Sequence, residues 1–150
     1  MCQALRISTM LVRLLYASRA ANPADASATD AILAQSRSHN PSCGITGILC
    51  YGGGIFLQAL EGGRAAVNEL YAHILKDPRH KDVILLSYEE ISERSFGGWT
   101  MGVVNIAKLN TSILLKYSEK PELDPYSVSG HVSMALLEEL MATASIVGRS

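Results

Sequence analysis

The chain has 150 residues, of which 48% are hydrophobic and 18% charged, with 13 Lys and Arg against 14 Asp and Glu. This balance is typical of one ordinary globular domain and excludes a disordered or fibrous chain. A net charge of −1 without a run of Lys and Arg predicts no nucleic-acid partner, and apolar stretches far shorter than ~20 residues predict no membrane span.

The first predicted element is a strand over Leu11–Tyr16, which follows residues 1–10, an expected N-terminal extension. This run is short and apolar, and the turn-forming Ala21–Pro23 comes soon after it. Because side chains alternate along a strand, Tyr16 shares one face with Val12 and Leu14. We therefore expect a phenol at the end of an apolar strand face.

A helix is predicted over Ala24–Ser38, with Pro23 and Asp25 as its start signal. The helix should end before Pro41, because a residue that precedes proline is disfavoured in the helical region. This prediction places Asn40 in a loop.

A β-hairpin is predicted next, with strands over Gly44–Tyr51 and Ile55–Glu61 on either side of three glycines. A helix over Arg64–Lys76 follows and ends before Pro78. The last two strands are predicted over Asp82–Glu90 and Thr100–Val104. The resulting order, βαββαββ, indicates an α+β, ferredoxin-like sandwich with both helices on one face of a mostly antiparallel sheet.

Residues 106–150 are predicted to form a helical appendage. Its two helices are expected over Ile106–Ser118 and His131–Ile146. The second carries an apolar stripe that includes Val132, Leu136 and Leu140. This stripe either binds a partner or covers the exposed face of the sheet.

Two polar residues interrupt apolar strand faces in this pattern. Gln58 lies between Phe56 and Leu60, where an unpaired amide would be costly to bury. Tyr16 is the second, and buried tyrosines usually form a hydrogen bond through the hydroxyl. If the two strands are neighbours, the side chains can pair, either as a structural core pair or as part of a site.

Other chemical signatures are weak. The glycine runs match no phosphate-binding pattern, and no Ser-His-Asp or HExxH pattern is present. His73, Asp77 and His80 have metal-like spacing, but Pro78 interrupts them, so we expect no metal site. Three cysteines without a CxxC pair favour a reducing cytoplasm and small buried side chains over a nucleophile.

Five segments follow one another at characteristic spacing: Leu11–Ser18, Asn40–Gly47, Phe56–Gly62, Asp77–His80 and Trp99–Met101. Together they resemble the BLUF domain, a flavin-based blue-light sensor. The resemblance covers residues 11–105, the expected flavin-binding domain. Residues 106–150 are similar to the helical pair of short, single-domain BLUF proteins.

The resemblance implies a ferredoxin-like fold that binds FAD between its two helices, with FMN or riboflavin as the other candidates. It makes Tyr16 the photoactive tyrosine and Gln58 the glutamine between that phenol and the flavin. It implies that Asn40 bonds the edge of the flavin ring and that Ile32 and Ile74 sandwich the ring. The further binding residues that it implies are Ser36, His39, His73, Asp77, Arg79 and His80. Some relatives carry Arg where this chain has His73.

The resemblance also implies a photoreceptor rather than an enzyme. A phenol that loses an electron becomes a strong acid, so oxidation of Tyr16 must be coupled to proton transfer, and an amide can relay the proton. Trp99 and Met101 are the implied signalling pair on the last strand. The C-terminal helices would then report to a separate effector protein, and we expect a homo-oligomer.

Two alternatives stay open at this point. A light-insensitive ferredoxin-like regulatory module that binds another small ligand would be colourless when purified. A flavin-dependent oxidoreductase would instead turn over a nicotinamide steadily.

Overall fold

A computed structural model describes residues 10–23, 26–98 and 100–143. Its strands are β1 (Leu11–Ala20), β2 (Thr46–Gly52), β3 (Ile55–Gly63), β4 (His80–Glu90) and β5 (Gly102–Asn105). Its helices are α1 (Ala26–His39), α2 (Arg64–Lys76), α3 (Thr111–Tyr117) and α4 (Gly130–Ala142). The predicted βαββαββ order is confirmed, with α3 and α4 after it.

The five strands form one sheet in the order β4-β1-β3-β2-β5. β1 pairs with β3 and β4 in antiparallel fashion, and β2 pairs antiparallel with β3 and parallel with β5. The α+β ferredoxin-like class is therefore confirmed. β1 and β3 are interior strands, and both carry buried residues along almost their whole length.

The first face of the sheet packs against α1 and α2. Val12, Leu14 and Tyr16 lie in this core, as the alternation along the strand predicts. Ile32 of α1 and Val67 of α2 pack into the same core. The space between the two helices therefore lies directly over β1 and β3.

The second face of the sheet is covered by the C-terminal helices. Leu15 and Leu57 of the sheet pack in one core with Leu136, Leu137 and Leu140 of α4. Leu136 and Leu140 are only 5% and 0% exposed, so these two residues of the predicted stripe cover the sheet and are not a partner surface, whereas Val132 is half-buried.

α4 approaches β4 closely at its first residue. A Cβ added to Gly130 would lie 2.6 Å from the backbone oxygen of Leu86, well inside van der Waals contact. Glycine at this position therefore allows the start of the helix to lie against the strand. The helix N-cap is Ser129, whose hydroxyl accepts a hydrogen bond from Val132 N.

Two boundaries in the C-terminal part differ from the prediction. The helix predicted over Ile106–Ser118 is a 3₁₀ turn over Ile106–Lys108 followed by α3, because the side chain of Asn110 accepts from Ser112 N and starts a new helix. α4 ends at Ala142, and residues 144–146 of the predicted helix lie outside the described residues.

Three boundaries near the predicted site differ as well. Asn40 begins a 3₁₀ turn over Asn40–Cys43 rather than lying in an irregular loop. β4 begins at His80, two residues earlier than expected, and β5 begins at Gly102, so Met101 precedes the last strand. None of the described helices is long and apolar enough to cross a membrane.

Candidate functional site

A cleft opens between α1 and α2, with β1, β3 and the start of β4 as its floor. Its empty volume, including solvent at the mouth, is about 460 Å³. All of the binding residues implied by the sequence line it: Tyr16, Ile32, Ser36, His39, Asn40, Gln58, His73, Ile74, Asp77, Arg79 and His80. Segments far apart in the chain therefore meet at one place.

Tyr16 and Gln58 form the floor of the cleft. They are direct partners in the antiparallel register of β1 and β3. The Tyr16 hydroxyl donates a hydrogen bond of 2.5 Å to Gln58 Oε1, and Gln58 Nε2 donates to Met101 Sδ at 3.3 Å. All three side chains are buried, so the pairing that the sequence predicted is present and extends to Met101.

The environment of Tyr16 keeps its phenol neutral. Burial raises the pKa of Tyr16 far above its usual value, and nearby Tyr71 and Asp77 act in the same direction. The ring of Tyr71 lies 5.8 Å away, centroid to centroid. The phenol of Tyr16 therefore keeps its proton in the resting state, and it donates that proton in a hydrogen bond to Gln58 Oε1.

Asn40 carries a buried donor without a partner. The residue is 1% exposed, and its backbone oxygen accepts a hydrogen bond of 3.0 Å from Ile45 N. Its Nδ2 has no hydrogen-bond partner among the residues that the structure describes. A buried polar atom left unpaired costs ~1–3 kcal/mol, so this amide is suited to a ligand that brings an acceptor.

Arg79 connects the two sides of the cleft mouth. Its guanidinium donates to both oxygens of Asp77, with Nε at 2.9 and 3.0 Å, and its second amino group donates to Gln35 Oε1 of α1 at 2.6 Å. Hydrogen bonding to Arg79 holds the pKa of the Asp77 carboxyl below its usual value. The mouth therefore carries a paired positive and negative charge.

His80 lies at the inner end of the cleft, where β4 begins. Its Nδ1 is 2.7 Å from Ser18 Oγ, and its ring meets Phe56 edge-on with centroids 5.3 Å apart. Burial lowers the pKa of His80, and the charge of Asp77 only partly opposes this. The neutral form of the imidazole is therefore favoured.

The side walls combine apolar and polar groups. Ile32 is buried on α1, and Ile74 is half-buried on α2. The Ser36 hydroxyl donates to Ile32 O, and His39 Nε2 lies 3.5 Å from Cys43 Sγ. His73 is exposed on α2. An isoleucine on each of the two helices that border the cleft suits a flat, apolar ring system.

Two lining residues were not among those predicted, and both belong to helical faces visible in the sequence. Gln35 follows Ile32 by one turn, and Leu70 precedes Ile74 by one turn. Trp99 lies outside the described residues. Within the described part of the chain, no cluster of three or more His, Cys, Asp or Glu side chains could hold a metal ion.

Cys43 and Cys50 are both buried, as expected for small packed side chains. Burial raises the pKa of the Cys50 thiol well above its usual value, which disfavours the reactive thiolate.

A family model described as sensors of blue light using FAD, abbreviated BLUF, matches residues 11–102 of the chain. The chain is 41% identical over 87 residues to photoactivated adenylate cyclase subunit alpha of Euglena gracilis. It is 38% identical over 92 residues to the beta subunit of Euglena longa. These matches cover 58% and 61% of this chain but only 8% and 11% of the cyclase subunits.

Solved structures resemble the chain over most of its length. The dark-state structure of BlrB, described as a BLUF protein, superposes with a TM-score of 0.76 at 34% identity and covers 92% of this chain and 99% of its own. The photo-activated state of BlsA gives a TM-score of 0.77 at 33% identity, covering 88% and 95%. A bacterial light-regulated adenylyl cyclase matches with a TM-score of 0.64 at 28% identity, and 34% of its chain is covered.

Proposed function

The chain belongs to the BLUF family of blue-light sensors that use FAD, and from this premise we propose that it is a blue-light photoreceptor with a flavin in the cleft between α1 and α2. The unpaired amide nitrogen of the buried Asn40 is the observation that carries the proposal. An oxidised flavin ring offers carbonyl and nitrogen acceptors along one edge, which is what this donor lacks. We take FAD as the flavin because the family description names it, with FMN and riboflavin as the other candidates.

The chemical types of the residues that line the cleft fit a flavin, which has an apolar ring system with polar edges. Ile32 and Ile74 would contact the two faces of the ring, and Asn40 would donate to its edge. Ser36, His39, His73, Asp77, Arg79 and His80 supply further polar groups around the same space. The Arg79 guanidinium at the mouth suits the anionic side of a phosphorylated flavin.

The photochemistry is proposed to use Tyr16 and Gln58. When bound, the flavin supplies the absorption of blue light and, once excited, a strong one-electron oxidant. Tyr16 would give an electron to the excited flavin and pass its phenol proton to Gln58 Oε1, which already accepts that proton as a hydrogen bond. The electron and a proton would then return to Tyr16, which leaves no net oxidation. Gln58 responds by rotating or tautomerising, because the two ends of an amide differ in whether they donate or accept.

The signal is proposed to leave the cleft through Met101. The amide nitrogen of Gln58 donates to Met101 Sδ, so any reorientation of the amide changes this contact. β5 starts at the next residue, and Val104 of that strand packs in the second core with α4. A separate effector protein would read the change at the C-terminal helices.

A sensor is favoured over an enzyme by the pattern of the matches. The chain resembles BlrB and BlsA over almost their whole lengths. BlrB is described as a BLUF protein, and the BlsA structure is described as a photo-activated state. The cyclase subunits match over about a tenth of their lengths, so the activity that their names state is not carried over to this chain.

The test is an absorption spectrum of the purified protein in darkness, under blue light and during recovery in the dark. We expect a yellow protein whose flavin band moves reversibly to longer wavelength. A colourless protein that fails to take up added FAD would contradict the proposal and leave the light-insensitive regulatory module. Steady oxidation of a nicotinamide by the yellow protein would instead indicate an oxidoreductase.

A further inference from the structure

Glu61 is a fully buried carboxylate on β3, three residues after Gln58. Because strand side chains alternate, Glu61 and Gln58 point to opposite faces of the sheet. Both carboxylate oxygens are occupied: Oε1 accepts from Phe96 N at 2.7 Å, and Oε2 accepts from Ser95 N at 3.0 Å and from Arg13 Nε at 2.8 Å. A buried carboxylate with three donors is held firmly, and loss of the Phe96 donor alone would leave Oε1 without a partner.

Two of these donors are backbone amides of the segment that joins β4 to β5. The same segment is held by side chains as well: Arg13 donates to Ser95 Oγ at 2.7 Å, and Arg94 donates to Thr46 Oγ1 at 2.8 Å. Phe96 is fully buried in the second core. Residues 94–96 are therefore fixed to β1, β2 and β3 at once.

The far end of this segment contacts the site. Met101 is five residues beyond Phe96, is fully buried and accepts the hydrogen bond from Gln58 Nε2. The chain between β4 and β5 is thus held by Glu61 at Ser95 and Phe96, and at Met101 it contacts the amide that is proposed to reorient.

From this arrangement we propose that Glu61 is a positioning residue that anchors residues 94–96, so that a change at the Gln58–Met101 contact passes forward into β5 and not back toward β4. The inference rests on the proposed function, because it needs a light-driven change at Gln58. A role in folding alone would lower stability when Glu61 is replaced, but it would not alter which part of the chain responds to light.

The experiment is hydrogen exchange measured by mass spectrometry on the FAD-loaded full chain, in darkness and under blue light. In the unchanged chain we expect light to speed exchange over Gly102–Asn105, while residues 94–96 stay protected. Glu61→Gln keeps the shape of the side chain but replaces one acceptor oxygen with an amide NH2 group, which can only donate. We expect residues 94–96 of this variant to exchange about tenfold faster in darkness, the effect of losing one charge-assisted hydrogen bond.

Under light, the Glu61→Gln variant should show the response at residues 94–96 and a weaker response over Gly102–Asn105. Glu89→Gln is the matched control, because it makes the same change in another carboxylate bound by Arg13, one whose side chain is 52% exposed. We expect Glu89→Gln to exchange like the unchanged chain in both conditions.

Several outcomes would overturn the anchor. One is a light-induced change in exchange that, in the unchanged chain, is as large at residues 94–96 as over Gly102–Asn105. Because this comparison uses only the unchanged chain, it can be made even if Glu61→Gln does not fold. Another is a Glu61→Gln variant in which light changes exchange at residues 94–96 and over Gly102–Asn105 to the same extent as in the unchanged chain. A chain without any light-induced absorption change would overturn the proposed function itself, and the spectrum reveals that before exchange is measured.

Discussion

Tyr16 and Gln58 are cross-strand partners, joined by a 2.5 Å hydrogen bond from the phenol to the amide oxygen. Their meeting is fixed by the register of β1 and β3, two neighbouring interior strands of the sheet, and not by a loop. A one-residue slip of either strand would turn one side chain to the opposite face. The core of the sheet therefore holds the proposed photoactive pair in place.

Tyr16→Phe and Gln58→Leu should each retain bound flavin and lose the reversible light-induced shift. The first removes the only proton that Tyr16 can give up, and the second removes the group that accepts it. Flavin affinity should change by less than about tenfold, because neither change removes the apolar walls. The measurement is difference absorption before and after blue light.

Tyr88→Phe is the matched control for the phenol, since Tyr88 is 38% exposed on the edge strand β4 and does not line the cleft. It should respond to light normally. A full shift in either Tyr16→Phe or Gln58→Leu would rule out the proposed photochemistry.

Asn40→Ala should weaken flavin binding by roughly 5- to 150-fold, because a ligand acceptor that is buried without a partner costs ~1–3 kcal/mol. The reason is that Asn40 Nδ2 has no partner within the described chain and would gain one from the ligand. Titration of flavin-free protein with FAD, followed by flavin fluorescence, measures the change. Ser38→Ala, on the exposed side of α1, should bind FAD as the unchanged chain does; equal affinities for the two variants would remove Asn40 from the site.

The sequence predicts the elements and the polar pair well, because both depend on periodicity. A single strand pattern shows that Gln58 interrupts an apolar face, and the cost of burying an amide then requires a partner. The boundaries depend on finer features. Asn110 caps α3 and splits a predicted helix, and β4 begins before Asp82, which takes a positive φ of 52° within the strand.

The burial of Glu61 cannot be predicted from the hydrophobic pattern of the sequence. This residue ends an apolar run and looks like the polar end of a strand, yet it is fully buried. Its backbone partners, Ser95 and Phe96, lie 34 and 35 residues further along the chain. Backbone donors carry no signature in the sequence, so only the folded sheet reveals this cluster.

Stability should fall as the pH is lowered from about 7.5 to about 5.5, because burial lowers the pKa of His80 in the folded chain. Below the ordinary histidine pKa of about 6.5, the unfolded chain takes up a proton that folded His80 resists, which favours unfolding. The carboxyl of Asp77, whose pKa is also lowered, acts in the same direction but only in the more acidic carboxylate range. Thermal unfolding with saturating FAD measures the effect.

His80→Gln should reduce this dependence on pH. His131→Gln changes an exposed histidine of α4 and should retain it. The assignment to His80 fails if its variant loses as much stability between the two pH values as the His131 variant does.

Gly130→Ala should destabilise the chain while leaving the photochemistry intact. The new Cβ would lie 2.6 Å from the Leu86 oxygen, and a backbone atom of β4 has little room to yield. Overpacking of this kind costs ~1–3 kcal/mol, which corresponds to a fall in Tm of roughly 2–12 °C for a chain of this size. Gly98→Ala is the control, because an added Cβ there meets no described atom within 4 Å.

The light-induced absorption shift of Gly130→Ala should match that of Gly98→Ala. Tyr16 lies in the core on the α1 and α2 side of the sheet, whereas Leu136 and Leu140 of α4 lie in the core on the other side. Displacement of α4 should therefore alter the helices that are proposed to report the signal, but not the Tyr16–Gln58 pair that is proposed to generate it. A Gly130→Ala chain that keeps its Tm would show that α4 is not held against β4, whereas loss of the absorption shift would show that the two faces of the sheet are coupled at the cleft itself.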